Sequence, residues 1–444
     1  MSSLTYFQLL RTNRSFRRLW LGQVVSELGN WFYFIAALGL VRSVSGNSAG
    51  ATTVVLLCRM VPFTIFAPLA GAFVDRWSRR TVMIVTDLAR VLIALFMLLV
   101  HRPQDLWIAY TCTVLLSFFG AFFEAAKNAA VPNITGDRDL LAGNALMFSS
   151  RFLLMSFGAA LGGWTASHLG YQAAFIVNSL SFLVSAYSVW LIPESETRQR
   201  TSVEAQARAG RGRFNYWSDI REGWTFIVRN PPVAAILGAN ILWATGGGAI
   251  NLISDRLGGL VFAGENGISG DSAVAVLYFA AGVGLFIGMM IARRTGTYLA
   301  MRAWTIGFIG WTLVLQGILF AGIGVMPTLM LAGILLFVSR TTLGVEFAIQ
   351  ETLLMRLVPD NLRGRVSTTD RAGEILMWSF STAAAGWSLK VISPRALTVV
   401  SGLLSCVAGV VWLLLFAFKI VRLPARLDEK LKRREVEVRQ AEVV

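Results

Sequence analysis

Three carboxylates and three guanidinium groups stand in stretches of this chain that are otherwise almost free of charge. They are Glu27, Glu346 and Glu374, and Arg59, Arg151 and Arg340. In an apolar setting desolvation favours a protonated carboxyl, whereas a neighbouring guanidinium favours the carboxylate. An acid held between the two effects can load and release a proton as its surroundings change. Glu27 also has polar companions at helical spacing, Gln23 before it and Asn30 after it, which places all three on one helix face. Guanidinium forks suit carboxylate and phosphate groups, so the same set admits an anionic or zwitterionic ligand. The alternative is that these arginines and acids only pair with one another inside the protein. Trp31, Phe32, Tyr33, Phe34, Trp243 and Trp378 are available to line an apolar cavity, or simply to pack and face lipid. Gly246, Gly247 and Gly248 stand between Trp243 and Asn251. Three consecutive glycines weaken a helix, which gives either a flexible segment or close packing through small residues.

The elements that must position these groups follow from hydropathy. Of 444 residues, 55% are hydrophobic and 15% charged. Repeated apolar runs of about 20 residues indicate a polytopic helical membrane protein. Twelve spans are expected, at 16–42, 50–74, 81–101, 106–131, 141–168, 171–192, 233–258, 272–292, 303–325, 327–358, 365–392 and 396–421. At ~1.5 Å per residue, Glu27 and Arg151 lie near mid-span, and Glu346 and Glu374 also lie deep. Such groups face the protein interior or a water-filled path.

The net charge of +15 does not signal nucleic acid. With an inside N-terminus, Arg42, Arg102 and Arg395 are the cations of the outer segments, and the other loop and tail cations fall inside. That asymmetry sets both termini on the cytoplasmic side of a bacterial inner membrane and draws the protein to anionic lipid. Arg11, Arg14, Arg17 and Arg18 precede a full-length span, which argues against a cleavable signal peptide. Cys58, Cys112 and Cys406 fall inside spans, and His101 and His168 are the only histidines. Neither a disulfide framework nor a metal site is expected.

The hydrophobic pattern breaks once, over residues 193–231, where Arg198, Arg200, Arg208, Arg211 and Arg213 mark a cytoplasmic linker. It divides the chain into six-span halves, 1–192 and 232–423, followed by a charged tail, 424–444. Around Phe214–Trp224 the linker reads as an amphipathic surface helix. The halves repeat. Glu124-Ala-Ala-Lys-Asn-Ala-Ala-Val-Pro132 in span 4 aligns with Glu351-Thr-Leu-Leu-Met-Arg-Leu-Val-Pro359 in span 10. Each is followed by a glycine, Gly143 or Gly364, and then an arginine, Arg151 or Arg371, in the next span. Parallel halves of this kind are typical of facilitator-type transporters.

Between spans 2 and 3 runs Gly71-Ala-Phe-Val-Asp75-Arg76-Trp-Ser-Arg79-Arg80, a tight basic hairpin. Gly71 there permits close backbone approach. This pattern resembles the loop between helices 2 and 3 of the major facilitator superfamily. The stretch Phe16–Trp31, the Glu124–Ser150 block and Pro359-Asp-Asn-Leu-Arg-Gly-Arg-Val-Ser367 extend the resemblance to its branch of macrolide-efflux proteins and the enterobactin exporter. The resemblance implies an all-α fold of twelve transmembrane helices in two six-helix bundles around a central cavity. It also implies a conformational latch, in which Asp75 faces the start of span 11 and Arg76, Arg79 or Arg80 meets an acid on span 4. Glu124 is the acid in that place, with Lys127 beside it. Asn30 stands where many relatives carry an acid, and Glu124 and Lys127 replace a usual Pro-Ala-Arg.

The expected function is proton-coupled export of a small amphipathic compound by alternating access, with Glu27 as the protonatable centre. No Walker sequence is present, so ATP is not the direct energy source. The other readings are a flippase for lysophospholipid or another anionic amphiphile, and a transport-inactive sensor or scaffold. The expected partners are substrate, protons and membrane lipid, for a monomer without cofactor or enzymatic activity. Cysteines placed at Arg211 and Lys432 should react with impermeant reagents only from the cytoplasmic side. Labelling from outside would overturn the topology.

Overall fold

The computed structural model describes residues 6–74, 77–197, 216–301, 304–359 and 362–420. Asp75 and Arg76 of the hairpin, the middle of the linker and the tail lie outside the described residues.

Twelve long helices run through the described residues, with no strand among them. They are α1 (Arg14–Val44), α2 (Ala49–Val74), α3 (Arg79–Phe96), α4 (Pro103–Gly136) and α5 (Ala142–His168), then α6 (Tyr171–Trp190) and α7 (Pro231–Gly247). The second set is α8 (Gly270–Met301), α9 (Thr305–Ile323), α10 (Leu329–Leu357), α11 (Arg363–Ser388) and α12 (Pro394–Ala417). Beyond α7 the same span continues through Ile250–Arg256 and a π turn, Leu257–Val261. Eleven of the spans are long and apolar enough to cross a membrane. The exception, α11, has the length, but Asp370, Arg371 and Glu374 dilute its hydropathy.

Local chemistry explains the helix ends. Asn13, Ser78, Thr328 and Ser393 cap α1, α3, α10 and α12 by accepting from the backbone N–H three residues on. Gly136, at φ +70°, divides α4 from α5 in an otherwise continuous helical track. The expected stop at Val131-Pro132 does not occur, and α4 runs on to Gly136. Neighbours serve the carbonyls around that proline. Arg79 Nη1 donates to the Ala129 carbonyl at 2.9 Å, and Asn13 Nδ2 donates to that of Ile134 at 2.8 Å.

The chain forms two compact units, Met1–Gly212 with Ser254–Phe279, and Arg213–Ile253 with Ala280–Val444. Packing thus assigns the end of the α7 span and the start of α8, which belong to the second half by sequence, to unit 1. In both units the helices pair in the same way. The contacts of α1 with α6, and of α3 with α6 and with the α4–α5 track, in unit 1 correspond to α7·α12, α9·α12 and α9·α10 of unit 2. Small residues make these approaches possible. A Cβ on Gly29 would stand 2.1 Å from Ser181 Oγ, and one on Gly402 would stand 2.3 Å from the Ala321 nitrogen. Outside, large apolar side chains such as Leu161, Trp311, Phe380 and Trp387 are exposed, which in water would be an aggregating surface and in lipid is an ordinary one.

The linker helix, Tyr216–Arg229, is amphipathic as expected. It is docked as well, because Ile227 is buried in the core of unit 2 and Glu222 pairs with Arg365 of α11.

The glycine contacts yield a test. Gly402→Val should destabilise α9–α12 packing by about 1–3 kcal/mol or more, since the new side chain meets backbone. Gly307→Ala, where no described residue lies within 4 Å, should leave thermal stability in detergent unchanged. Equal melting of the two variants would contradict the packing.

Candidate functional site

In unit 1 the deep polar groups gather from four helices. Glu27 on α1 lies within electrostatic reach of Arg59 on α2 and Arg151 on α5. Arg151 in turn is in reach of Glu124 on α4. Lys127 Nζ donates to Glu124 Oε1 at 2.6 Å and to Gln23 Oε1 at 3.5 Å. Gln23 is buried, while Glu27 and Asn30 are half-buried. The Arg59 guanidinium sits 4.2 Å from the centre of the Phe34 ring and 5.8 Å from that of Trp31. These cation–π contacts hold a charge that has no carboxylate in direct contact among the described residues. Gln23 meets Lys127, and Glu27 is in reach of Arg59 and Arg151.

Two arginines of the hairpin reach backbone carbonyls. Arg79 Nη1 donates to the carbonyls of Ala129 and Thr197, and Arg80 Nη2 donates to that of Trp190. Arg79 thus touches α4 five residues beyond Glu124, whose own ion pair is with Lys127. No described residue lies within 4 Å of a Cβ built on Gly71.

In unit 2 the expected pairing of arginines with acids fails at Arg340. This buried guanidinium lies 4.9 Å from the centre of the Phe320 ring, and its Nε and Nη2 have no hydrogen-bond partner among the described residues. Glu346, on the same helix, is 2% exposed and joins no ion pair among them. Six residues separate the two along α10, which turns them to different faces. Glu374 does find a cation, Arg371 Nη1 at 3.1 Å. Trp243 and Trp378 meet edge to face at 6.1 Å. Asn251 is half-buried in the short helix after the glycines. The glycine run both breaks and packs. The helix ends at Gly247, while a Cβ on Gly246 would stand 2.1 Å from the Ser401 carbonyl and one on Gly248 would stand 2.7 Å from Trp378 Cα.

Sequence reasoning missed two buried ion networks in unit 1. Asp87 and Arg90, one turn apart on α3, pair with each other, and the Arg90 guanidinium is sandwiched by Phe123 and Phe182. Their i,i+3 spacing inside an apolar run was the available signal. The larger network lies at the opposite helix ends from the hairpin. Arg42, at the end of α1, donates to both Asp255 and Asp271. Tyr171 Oη donates to Asp271 at 2.9 Å. Arg256 pairs with Asp255 at 3.2 Å and donates to the carbonyls of Asn47 and Ser48 and to Thr52 Oγ1. Arg42, Asp255, Arg256 and Asp271 are all buried. Nothing local announced this, because Arg42 and its acids are more than 200 residues apart in sequence.

The comparisons with known proteins agree with this architecture. The family model described as Major Facilitator Superfamily matches residues 19–369. The MFS-type transporter YfiS of Bacillus subtilis (strain 168) is 25% identical over 225 residues, 50% of this chain and 51% of that protein. The chain thus spans about half the length of this relative. Macrolide efflux protein A of Streptococcus pyogenes is 22% identical over 310 residues, covering 68% of this chain and 73% of its own. Among solved structures, a bacterial homologue of the iron transporter ferroportin, in an inward-facing state, superposes with a TM-score of 0.66 at 14% identity. It covers 90% of this chain and 98% of that one, a likeness of fold.

Arg42→Ala would leave Asp255 and Asp271 buried without their shared cation, a loss of about 3–5 kcal/mol. Melting in detergent should fall well below that of wild type, and Arg42→Ala with Asp271→Asn should recover part of the loss. A melting point unchanged by Arg42→Ala would remove the network from the stability of unit 1.

Proposed function

The chain belongs to the Major Facilitator Superfamily, and from that premise we propose proton-coupled export of a small amphipathic compound by alternating access. The observation that carries this reading is Glu27. It lies on α1 within electrostatic reach of two guanidinium groups, with no ion pair among the described residues. It is half-buried. A carboxylate clamped to one arginine would be locked in its charged form. One that is only in reach of two can change protonation when α1, α2 and α5 shift relative to one another. The likeness to macrolide efflux protein A supports outward transport of a compound with a large apolar body. The basic asymmetry of the loops supports a plasma-membrane protein with both termini in the cytoplasm.

Export of this kind needs two locks, and the two ends of the helices offer different ones. On the hairpin side, Arg79 and Arg80 donate to the carbonyls of Ala129, Thr197 and Trp190, and the latch of this reading joins Asp75 and a hairpin arginine with Glu124. Asp75→Asn should slow turnover severalfold while leaving expression near normal. At the other end, the Arg42 network must rearrange whenever α1 parts from the ends of the α7 and α8 spans. Its direct bonds set part of the barrier.

Glu27→Gln should abolish export driven by a pH gradient in proteoliposomes, by tenfold or more. Substrate binding and gradient-free exchange should be retained. A variant with unchanged pH dependence would move coupling away from Glu27.

A further inference from the structure

The charges of unit 2 do not balance, and the imbalance has a shape. On α10, Glu346 and Gln350 stand one turn apart, 2% and 3% exposed. Glu346 Oε1 and Gln350 Nε2 have no hydrogen-bond partner among the described residues. On α11, Asp370, Glu374 and Trp378 recur every four residues, on one face. Asn240 Nδ2 of α7 donates to Asp370 at 3.1 Å. Glu374 is in electrostatic reach of Glu346, Asp370 and Glu351. Among the described residues Arg371 pairs with Glu374 and is in electrostatic reach of Asp370 and Glu351, and no cation is seen against Glu346. Arg340 is turned to Phe320. Among the described residues that α8 and α9 set against α10 are Gly284, Leu285, Gly288, Gln316 and Phe320, none of them charged. Beside this stripe stands the Trp243–Trp378 pair, whose two indole N–H groups are also buried without partners among the described residues.

A buried carboxylate oxygen and three buried N–H donors, all unpaired, make an incomplete set. A ligand would complete it by bringing a positive charge for the acids, oxygen acceptors for the donors and an apolar body for the rings. We propose that unit 2 binds an organic cation, a protonated or quaternary amine on an amphipathic body carrying hydroxyl or carbonyl oxygens. Its ammonium group lies against Glu346 and Glu374, its body against Trp243 and Trp378, and its oxygens accept from the indoles and Gln350. A metal ion fits less well, because no group of three or more His, Cys, Asp or Glu able to hold one exists among the described residues. This inference rests on the export reading above and narrows its substrate from any small amphipathic compound to an amine. It also departs from the anionic ligand that the arginines suggest in the sequence.

The test uses the purified full-length protein in lipid nanodiscs, with tetraphenylphosphonium as cation and tetraphenylborate as an anion of the same shape. Tetraphenylphosphonium should bind saturably and quench tryptophan fluorescence. Its affinity should tighten from pH 5 to pH 8, since the probe does not titrate and protons compete for the same carboxylates. Glu346→Gln should weaken binding tenfold or more, and Glu346→Asp should restore much of it. If Glu346→Gln does not fold, Glu374→Gln carries the same expectation. Equal binding of tetraphenylborate, or an unchanged affinity in a folded Glu346→Gln or Glu374→Gln protein, would overturn the proposal. Loss of proton-driven export with cation binding intact would remove the coupling reading and support this site. Absent cation binding beside intact coupled export of another compound would overturn this site alone.

Discussion

A guanidinium buried among helix ends must be answered by carboxylates, and Arg42 is answered twice. Its bonds to Asp255 and Asp271 draw the end of the α7 span and the start of α8 onto α1. The rest of unit 1 is shaped to allow it. Gly39 leaves room for Asp271 and Tyr171, Gly259 for the Arg42 guanidinium, and Gly163 for Ala275. A Cβ at any of these glycines would stand within 3 Å of its neighbour, so the network and the small residues around it form one arrangement. Arg256 extends that arrangement to the turn before α2 through Asn47 and Ser48, and to the first turn of α2 through Thr52. Removing two charges from water is expensive, and their attraction offsets the cost only in good geometry. Such a network is therefore better understood as specifying which ends meet than as a large source of stability.

The two units share a pattern of helix pairing but not a chemistry. Unit 1 collects Glu27 and Glu124 with Arg59, Lys127 and Arg151. Unit 2 collects Glu346, Glu351, Asp370 and Glu374 with Arg371. Repetition preserves what packing needs, namely small residues at crossings and apolar faces toward lipid. The interior polar positions are free to differ, since each only has to find a partner, water or a ligand. The two clusters therefore differ in charge balance, with cations in excess around Glu27 and Glu124 and acids in excess around Glu374.

Aromatic rings do much of the accommodation where carboxylates do not. Arg59 lies over Phe34, Arg90 between Phe123 and Phe182, and Arg340 over Phe320. The ring face is a weak anion equivalent in a dry site, and it leaves the neighbouring acids uncommitted. Glu27 and Glu346 are both in that condition, and an uncommitted acid is what proton exchange or cation binding requires.

Sequence by itself determined the class of this protein. Apolar length, the one-sided distribution of loop arginines, the Glu124/Glu351 repeat and the hairpin motif specify a helical membrane transporter, because each is a local property or a fixed spacing. It also marked Gln23, Glu27 and Glu346 as interior groups, since a polar residue in an apolar run can face only inward. Tertiary structure alone decided who meets whom. That Arg42 serves Asp255 and Asp271, that Arg340 ignores Glu346, and that Pro132 does not stop α4 depend on groups distant in sequence arriving at one point. No spacing along the chain encodes such meetings, because they arise from how helices cross and from which glycines let them come close.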